Sequence, residues 1–490
     1  MIRVLSQEDM QRWDASRIAA GIPAEELMLR AAKGLFSAVE ELRCDSELVT
    51  VFCGPGNNGG DGYALACLLA EAQIPVQIIS LAKPEQLTDA ASFYCKRAAL
   101  QGIRTETEWV PVAAELLVDA FFGIGLSRPI TEQYADTIAR MNASGKRILS
   151  ADIPSGLAAD TGAVLGIAVR ATVTVTMQFY KPGLLLGQGR AYTGAVRVCS
   201  LAEAEPVDIA YPIYWQEESD VAALLPPRPF DSHKGRNGHA LLCVGSKQYV
   251  GAALLSAGAC LRSGCGILSV VTTDPVRPSF AALPEAITVP TGTTEWNAEA
   301  CAFAVNALTS KSSVGVGCGI GSGDIAPLLE AALRSGLPLV LDADGLNCLS
   351  RNRDLFKLLH PNVVLTPHPG EMARLLDCSV AEVLADPIRA ARAFPCTVLL
   401  KGPTTVVSCC ERAVLCTEGT PGLAKGGSGD VLCGIITALL AQGLSPFDAA
   451  RAGTYLLGTN ARKAYERLGE RMLLASDVIA VLQEQYGKDH

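Results

Sequence analysis

Residues 48–72 read LVTVFCGPGNNGGDGYALACLLAEA: an apolar run, a glycine loop and a helical pattern in direct succession. Strand, glycine turn and helix in that order aim backbone amides at an anion. Five glycines fall within the nine residues Gly54 to Gly62, so the backbone can approach a ligand with no Cβ in the way. Asn57, Asn58 and Asp61 add amide donors and oxygen acceptors at the carboxyl edge of a sheet. The spacing is not that of the G-x-G-x-x-G dinucleotide fingerprint, and no acidic residue ends a second strand to hold a ribose. The loop is read as a binding site of another kind.

Outward from this loop the pattern repeats. From Ser6 to about Leu42 apolar residues recur at helical spacing, with Ser6 as an N-cap and Pro23 opening a second helix, so two helices are expected before the first strand. Apolar runs then alternate with helical stretches at Leu48 to Cys53, Val76 to Leu81, Leu116 to Phe122, Arg147 to Ile153 and Val173 to Gln178. Continuous apolar strands separated by helices predict a parallel sheet covered on both faces. Between Ala202 and Asp231 the rhythm breaks, with Pro206, Pro212, Pro226, Pro227 and Pro229 among acidic residues, which marks a domain boundary. Alternation resumes at Ala240 to Val244, Ile267 to Thr272, Ser313 to Val316, Leu337 to Leu341, Val363 to Thr366, Thr397 to Leu400 and Thr404 to Val407. No fixed period relates the halves, so they are two different α/β folds.

The 490 residues exceed what one core normally serves. A net charge of −9 supplies no basic field, which argues against nucleic-acid or membrane binding and for small-molecule ligands. Of 17 cysteines none forms a C-x-x-C pair, and many sit in apolar runs, as Cys243 and Cys433 do; they read as buried thiols in a reducing compartment. The opening MIRVLSQEDMQRW scatters charges where a signal peptide needs an apolar core, and no apolar run reaches membrane-span length; a cytoplasmic location is expected.

Two further strand ends of the first half carry polar groups at the same edge, Asp119 in VDAFFGIG and Asp152 with Ser155 in LSADIPSG. Either Asp alone can be a helix cap or turn former, but together with the Asn-rich loop they offer oxygens to a hard cation, and Asp152 can carry a proton. In the second half GTPGLAKGGSGDVLCGIITALL, Gly419 to Leu440, passes from a glycine loop into an apolar helix. Asp430 sits in that helix's first turn, where it can reach a substrate hydroxyl while the amides of Gly427, Ser428 and Gly429 grip a phosphoryl group. KGPTT (Lys401 to Thr405) offers a cation and hydroxyls, TPHPGE holds His368 between two prolines, LDADGLN brings Asp342, Asp344 and Asn347 to a strand end, and GVGCGIGSG (Gly315 to Gly323) gives another close backbone approach. His and Cys do not converge by spacing, so zinc is not expected.

GPGNNGGDG and its neighbours make residues 1–215 resemble the NAD(P)HX epimerase domain, a Rossmann-like three-layer fold. The resemblance implies that Asn57, Asn58, Gly59, Gly60 and Asp61 bind the hydrated nicotinamide nucleotide. It also implies that Gly123, Ile124, Gly125, Leu126, Ser127, Arg128 and Pro129 hold its phosphates, that Asp152 contacts it, and that Asn58, Asp119 and Ser155 hold a potassium ion. The family's LME-x-AG is here Leu27, Met28, Leu29, Arg30, Ala31, Ala32, with Leu29 in place of Glu, so a cap or subunit contact of that Glu is not carried over. DADGLN, TPHPGE and AKGGSGD, in this order, make residues 225–490 resemble the ADP- or ATP-dependent NAD(P)H-hydrate dehydratase, a ribokinase-like three-layer α/β/α fold. That likeness assigns Lys401, Gly402, Pro403, Thr404, Thr405, Gly426, Gly427, Ser428 and Gly429 to ADP or ATP. Ala252 or Ala253, Gly321, His368 and Asp430 fall to the hydrate, with Asp430 as base and magnesium screening the phosphates. A homo-oligomer acting on NADHX and NADPHX is the expected species. The rival readings are a kinase of a sugar or vitamin precursor, which the fused first half argues against, and a non-catalytic nucleotide sensor, which the full set of polar loop residues argues against.

Overall fold

The computed structural model describes residues 1–45, 47–113, 115–203, 208–225, 229–469 and 471–486. It divides into two compact units, Arg3–Pro212 and Ile213–His490, the latter grouped with Met1–Ile2.

In the first unit seven strands form one parallel sheet: β1 (Leu48–Cys53), β2 (Val76–Ser80), β3 (Arg104–Glu106), β4 (Glu115–Ala120), β5 (Ile148–Ala151), β6 (Val173–Met177) and β7 (Ala195–Cys199). Their spatial order is β3-β2-β1-β4-β5-β6-β7. The winding reverses between β1 and β4, and a doubly wound sheet opens its ligand crevice at that reversal, beyond the strands' carboxyl ends. Side chains alternate across the sheet. Val49, Val51 and Cys53 of β1 enter a core with Leu35 of α2 (Ala24–Leu42), Leu65 of α3 (Asn57–Glu71) and Tyr94 of α4 (Asp89–Leu100). Phe52 points the other way, into a smaller core with Trp109 and with Ile138 and Met141 of α5 (Glu132–Ala143). Burying each such side chain contributes about 2 kcal/mol, which is why both faces read as apolar runs in the sequence.

In the second unit ten strands lie in one sheet: β8 (Ile213–Trp215), β9 (His239–Cys243), β10 (Ile267–Thr272), β11 (Ala286–Pro290), β12 (Ser313–Val316), β13 (Leu339–Leu341), β14 (Val363–Leu365), β15 (Thr397–Leu400), β16 (Thr405–Ser408) and β17 (Ala413–Cys416). They run in the order β8-β17-β16-β15-β14-β13-β12-β9-β10-β11, parallel except where β16 pairs with β15 and β17. Here the winding reverses between β9 and β12. Helix α6 (Val250–Arg262) packs on α9 (Ser428–Ala441) so closely that a Cβ on Gly434 would lie 2.1 Å from the Ser256 carbonyl oxygen. For use below, α7 is Asp344–Arg351 and α8 is Pro369–Leu376.

Several boundaries differ from the sequence reading. Ser6 does cap the first helix, α1 (Gln7–Ala19), but a short strand, Ile2–Val4, stands ahead of it, and Pro23 is the cap of α2 rather than its first residue. The proline-rich segment contains β8 and a short helix, Glu218–Ala222, while Pro206, Pro226 and Pro227 lie outside the described residues. All 17 cysteines are free thiols, and no described helix is long and apolar enough to cross a membrane.

Candidate functional sites

In the first unit α3 begins at Asn57 with Gly56 as its N-cap and no side-chain cap, so its first amides remain available to a ligand. A cavity of about 480 Å³ opens there. Asn57, Asn58, Asp61, the run Gly123 to Arg128, and Asp152 line it, as the sequence reading expects; Gly59, Gly60 and Pro129 are not among its walls. The two glycines turn to the packed side of α3. A Cβ on Gly59 would lie 1.9 Å from the Gly54 carbonyl oxygen, and one on Gly60 would lie 2.3 Å from the Met28 methyl. Leu29, where the resemblance expects Glu, packs half-buried against the core.

Asp119 at the end of β4 is fully buried and tied to the loop after β5. Ser155 donates to it through its hydroxyl (2.6 Å) and its amide (2.9 Å), and Ser150 through its hydroxyl (2.8 Å). Burial still outweighs these donors and raises its carboxyl above the ordinary value. The Asn58 side chain is buried against Gly123, and neither its amide oxygen nor its nitrogen has a hydrogen-bond partner. The partnerless Asn58 oxygen and the oxygens of Asp119 and Ser155 are hard donors of the kind potassium takes, although Asp119 and Ser155 are bonded to each other and do not line the cavity.

Asp152 sits at φ 64°, a left-handed conformation uncommon outside glycine. Its side chain is held by Lys181, which is wholly buried. The Lys181 ammonium donates to Asp152 Oδ1, to the Thr176 hydroxyl (3.0 Å) and to the Met177 carbonyl (2.8 Å). The Met177 amide adds a further bond to Oδ1 at 3.0 Å. Oδ2 has no hydrogen-bond partner among the described residues. Asp14 of α1 joins the same walls, with its carboxyl pushed up to about 6 by burial, an effect Lys181 opposes and Asp152 reinforces.

In the second unit the polar groups gather at the carboxyl ends of β12 to β15 and the start of α9. Lys401, just past β15, lies 2.6 Å from Asp342, just past β13. Although burial opposes its charge, Asp342 and Glu371 hold the Lys401 ammonium above its usual pKa. Gly429 backs onto the pair, since its Cβ would lie 3.3 Å from the ammonium and 3.4 Å from Asp342 Oδ2. Asp430 follows in the first turn of α9, pushed up to about 6 by burial and by Asp342, against a hydrogen bond with Cys318 and the attraction of Lys401. Gly427, at φ 98°, caps the helix, so the amides of Ser428, Gly429 and Asp430 have no partner within it. Lys425 is tied away from this cradle by the carbonyls of Arg471 and Leu473, while Gly426 is open.

Asp344 accepts the Gly321 amide at 2.7 Å, and Asn347 accepts from Arg374 at 3.1 Å. Between the two carboxylates Ala343 stands at φ 46°, ψ −113°. His368 caps α8: its Nδ1 accepts the Gly370 amide at 3.0 Å, which places the ring proton on Nε2, 3.5 Å from Glu371 Oε1. Its orientation therefore comes from the capping box more than from the flanking prolines. Of the alternatives Ala252 and Ala253, only Ala252 is partly accessible, in contact range of Gly319; Ala253 is fully buried behind Gly245. Gly402 and Pro403 form the exposed turn between β15 and β16, Thr404 is buried and Thr405 begins β16.

Sequence reasoning missed Asp14, Lys181, Glu371 and Cys318. Lys181 had a signal, a Lys-Pro-Gly just after a strand end; Asp14 had none, being one acidic residue on an amphipathic helix.

A family model described as NAD(P)H-hydrate dehydratase matches residues 240–484, and one described as YjeF-related protein N-terminus matches residues 24–183. Among the relatives is the bifunctional NAD(P)H-hydrate repair enzyme Nnr of Vibrio cholerae, 36% identical over 481 residues that cover 95% of this chain and 94% of the relative. The protein of the same name from Escherichia coli is 35% identical over 474 residues, covering 94% and 90%. A solved ribokinase-like superfamily protein from Enterococcus faecalis is 26% identical and covers 58% of this chain and 98% of its own, with a TM-score of 0.50. With near full-length coverage of both partners at this identity, the chain belongs to the family of bifunctional NAD(P)H-hydrate repair enzymes.

Proposed function

We propose that residues 1–215 interconvert the R and S forms of hydrated NADH and NADPH, and that residues 225–490 dehydrate the S form with ADP or ATP, restoring the reduced cofactor. The observation that carries the reading is the position of Asp430: a raised-pKa carboxyl in the first turn of a glycine-capped helix, beside the Lys401–Asp342 pair.

In the second unit the free amides at the start of α9 and the Lys401 ammonium take the nucleotide's terminal phosphates, while Asp430 accepts the proton of the ring hydroxyl as its oxygen attacks phosphorus. Phosphate is a better leaving group than hydroxide, so its loss with a proton from the adjacent carbon re-forms the double bond. Among the described residues no group of three or more His, Cys, Asp or Glu side chains is arranged to hold an ion. Magnesium carried by the nucleotide would need few protein ligands; Asp342 would help hold it, and it would screen phosphate charge, leaving Asp430 as the base. Gly321, Ala252 and His368 bound the hydrate's side of the site.

In the first unit the Gly123 to Arg128 loop and the start of α3 receive the nucleotide's phosphates. Asn58, Asp119 and Ser155 would hold potassium, which would offset the charge of a buried Asp119 carboxylate. Lys181 and the Met177 amide hold Asp152 through Oδ1, leaving Oδ2 to take a proton. The test is to supply each epimer of hydrated NADPH with ADP or ATP and follow the nicotinamide absorbance. Recovery of that band with release of phosphate is expected; stable phosphorylation of a sugar or hydroxymethylpyrimidine, without recovery, would establish a kinase instead.

A further inference from the structure

We propose that Asp14, on the N-terminal helix α1, is the proton donor of the first unit's cavity and works against Asp152 as the acceptor; this deepens the epimerase reading and rests on it. Three carboxyls wall that cavity, those of Asp14, Asp61 and Asp152, together with two cations, Lys181 and Arg128. They are not equivalent. Asp152 accepts from the Lys181 ammonium and the Met177 amide, donors suited to a proton acceptor. Neither Asp14 nor Asp61 has a hydrogen bond or an ion pair among the described residues, so only the attraction of Lys181 offsets a negative charge on either.

The groups that face Asp14 from neighbouring elements are Asp61 on α3, Arg128 on the loop after β4, Asp152 after β5, and Lys181. Burial pushes Asp14 up to about 6, with Lys181 opposing and Asp152 reinforcing the rise. Burial, Asp152 and Asp14 drive Asp61 well above the carboxylate range. A group that gives and regains a proton each turnover works best with a pKa near the working pH. That condition favours Asp14 over Asp61, whose carboxyl is raised further from the ordinary range. Carboxyls in one site set in such different surroundings suit an acid and a base.

The chemistry needs both. Water adds to an enamine at the carbon attached to nitrogen, so the hydroxyl of the hydrate sits beside the ring nitrogen. Asp14 gives its proton to that hydroxyl. The carbon–oxygen bond breaks with its electron pair leaving on water, and the nitrogen lone pair forms a carbon–nitrogen double bond. Water then adds to the other face, the pair returns to nitrogen, and the proton released from the new hydroxyl passes to Asp152. Nothing is oxidised or reduced, water is the only co-reactant, and proton exchange with solvent resets the two carboxyls.

The experiment uses the full chain with pure R hydrate of NADPH and no adenine nucleotide, and resolves R from S by chromatography. Wild type is expected to interconvert them well above the buffer rate, with kcat/KM falling as pH rises through about 6. Asp14→Asn should lose roughly 100-fold or more in kcat with little change in KM, and its residual rate should lack that falling limb. Asp14→Glu should recover part of the rate, and unaltered nucleotide-dependent dehydration of S hydrate reports that the variant chain is folded. Unchanged kcat and pH profile in Asp14→Asn, or a rise in KM alone, would overturn the proposal. If Asp14→Asn misfolds, Asp14→Glu decides: a limb left where wild type has it and a rate no different from Asp14→Ala exclude a donor. A wild type no faster than buffer would instead remove the epimerase reading beneath it.

Discussion

Asp430 and Lys181 show how one neighbour sets the work of a charged side chain. Asp430 must be ionised to take a proton, so dehydratase kcat/KM should rise with pH through about 6. Asp342→Asn removes a negative neighbour that disfavours the Asp430 anion and frees Lys401 to attract it. Both effects favour the charged form, so the rising limb should move to lower pH whatever happens to its height, and a pH–rate profile of the variant checks this. Lys181 is the counter-case, a buried cation whose three donors are all used. Lys181→Met leaves Asp152 facing low dielectric alone, which costs about 3–5 kcal/mol where a buried pair loses one member. Denaturant titration should show that loss. Asp152→Leu added to Lys181→Met should restore much of the stability and none of the R/S interconversion.

At the scale of elements, α3 lies where it does because its glycines admit backbone. Gly59→Ala sets a Cβ 1.9 Å from the Gly54 carbonyl oxygen and should destabilise the first unit by at least about 2 kcal/mol. Gly56→Ala meets nothing within 4 Å and should be near neutral for stability, as paired melting curves would show. The strands legible in the sequence are those buried on both faces, such as β1, β10 and β15, where no polar residue interrupts the apolar run for long. The unread ones lie at or near sheet margins, as β17 does in its antiparallel pair with β16. β3 and β7 are edge strands with mostly exposed side chains, so RTE and AVRVC carry no apolar signature. β8 hides in proline-rich sequence because three residues are too few to show a period. The sites were legible where chemistry is written into contiguous loops, as in Asn57 to Asp61 or Gly426 to Asp430. They were illegible where tertiary packing alone delivers the group, as with Asp14 from α1 and Cys318 beneath Asp430.

Across the whole molecule, each sheet places its own set of loops at the reversal of its own winding, and each has its own core. Two independent sites on one chain predict complementation. Asp430→Asn should still equilibrate R and S hydrate but regenerate no cofactor, whereas Asp152→Asn should consume S and then stall at the spontaneous rate. Mixing the two full-length variants should restore complete conversion of an R/S mixture, followed by nicotinamide absorbance; failure of the mixture while each retains its partial activity would require the sites to act within one chain. A single unfavourable torsion bears on how such a molecule is balanced. Ala343 holds a glycine-type backbone without being glycine, at a cost of about 1–3 kcal/mol, and the carboxylates on either side of it belong to the dehydratase cluster. Selection for heat resistance alone should therefore find Ala343→Gly early, and the hardier protein should turn over more slowly, because a looser hinge lets Asp342 and Asp344 wander from their aim.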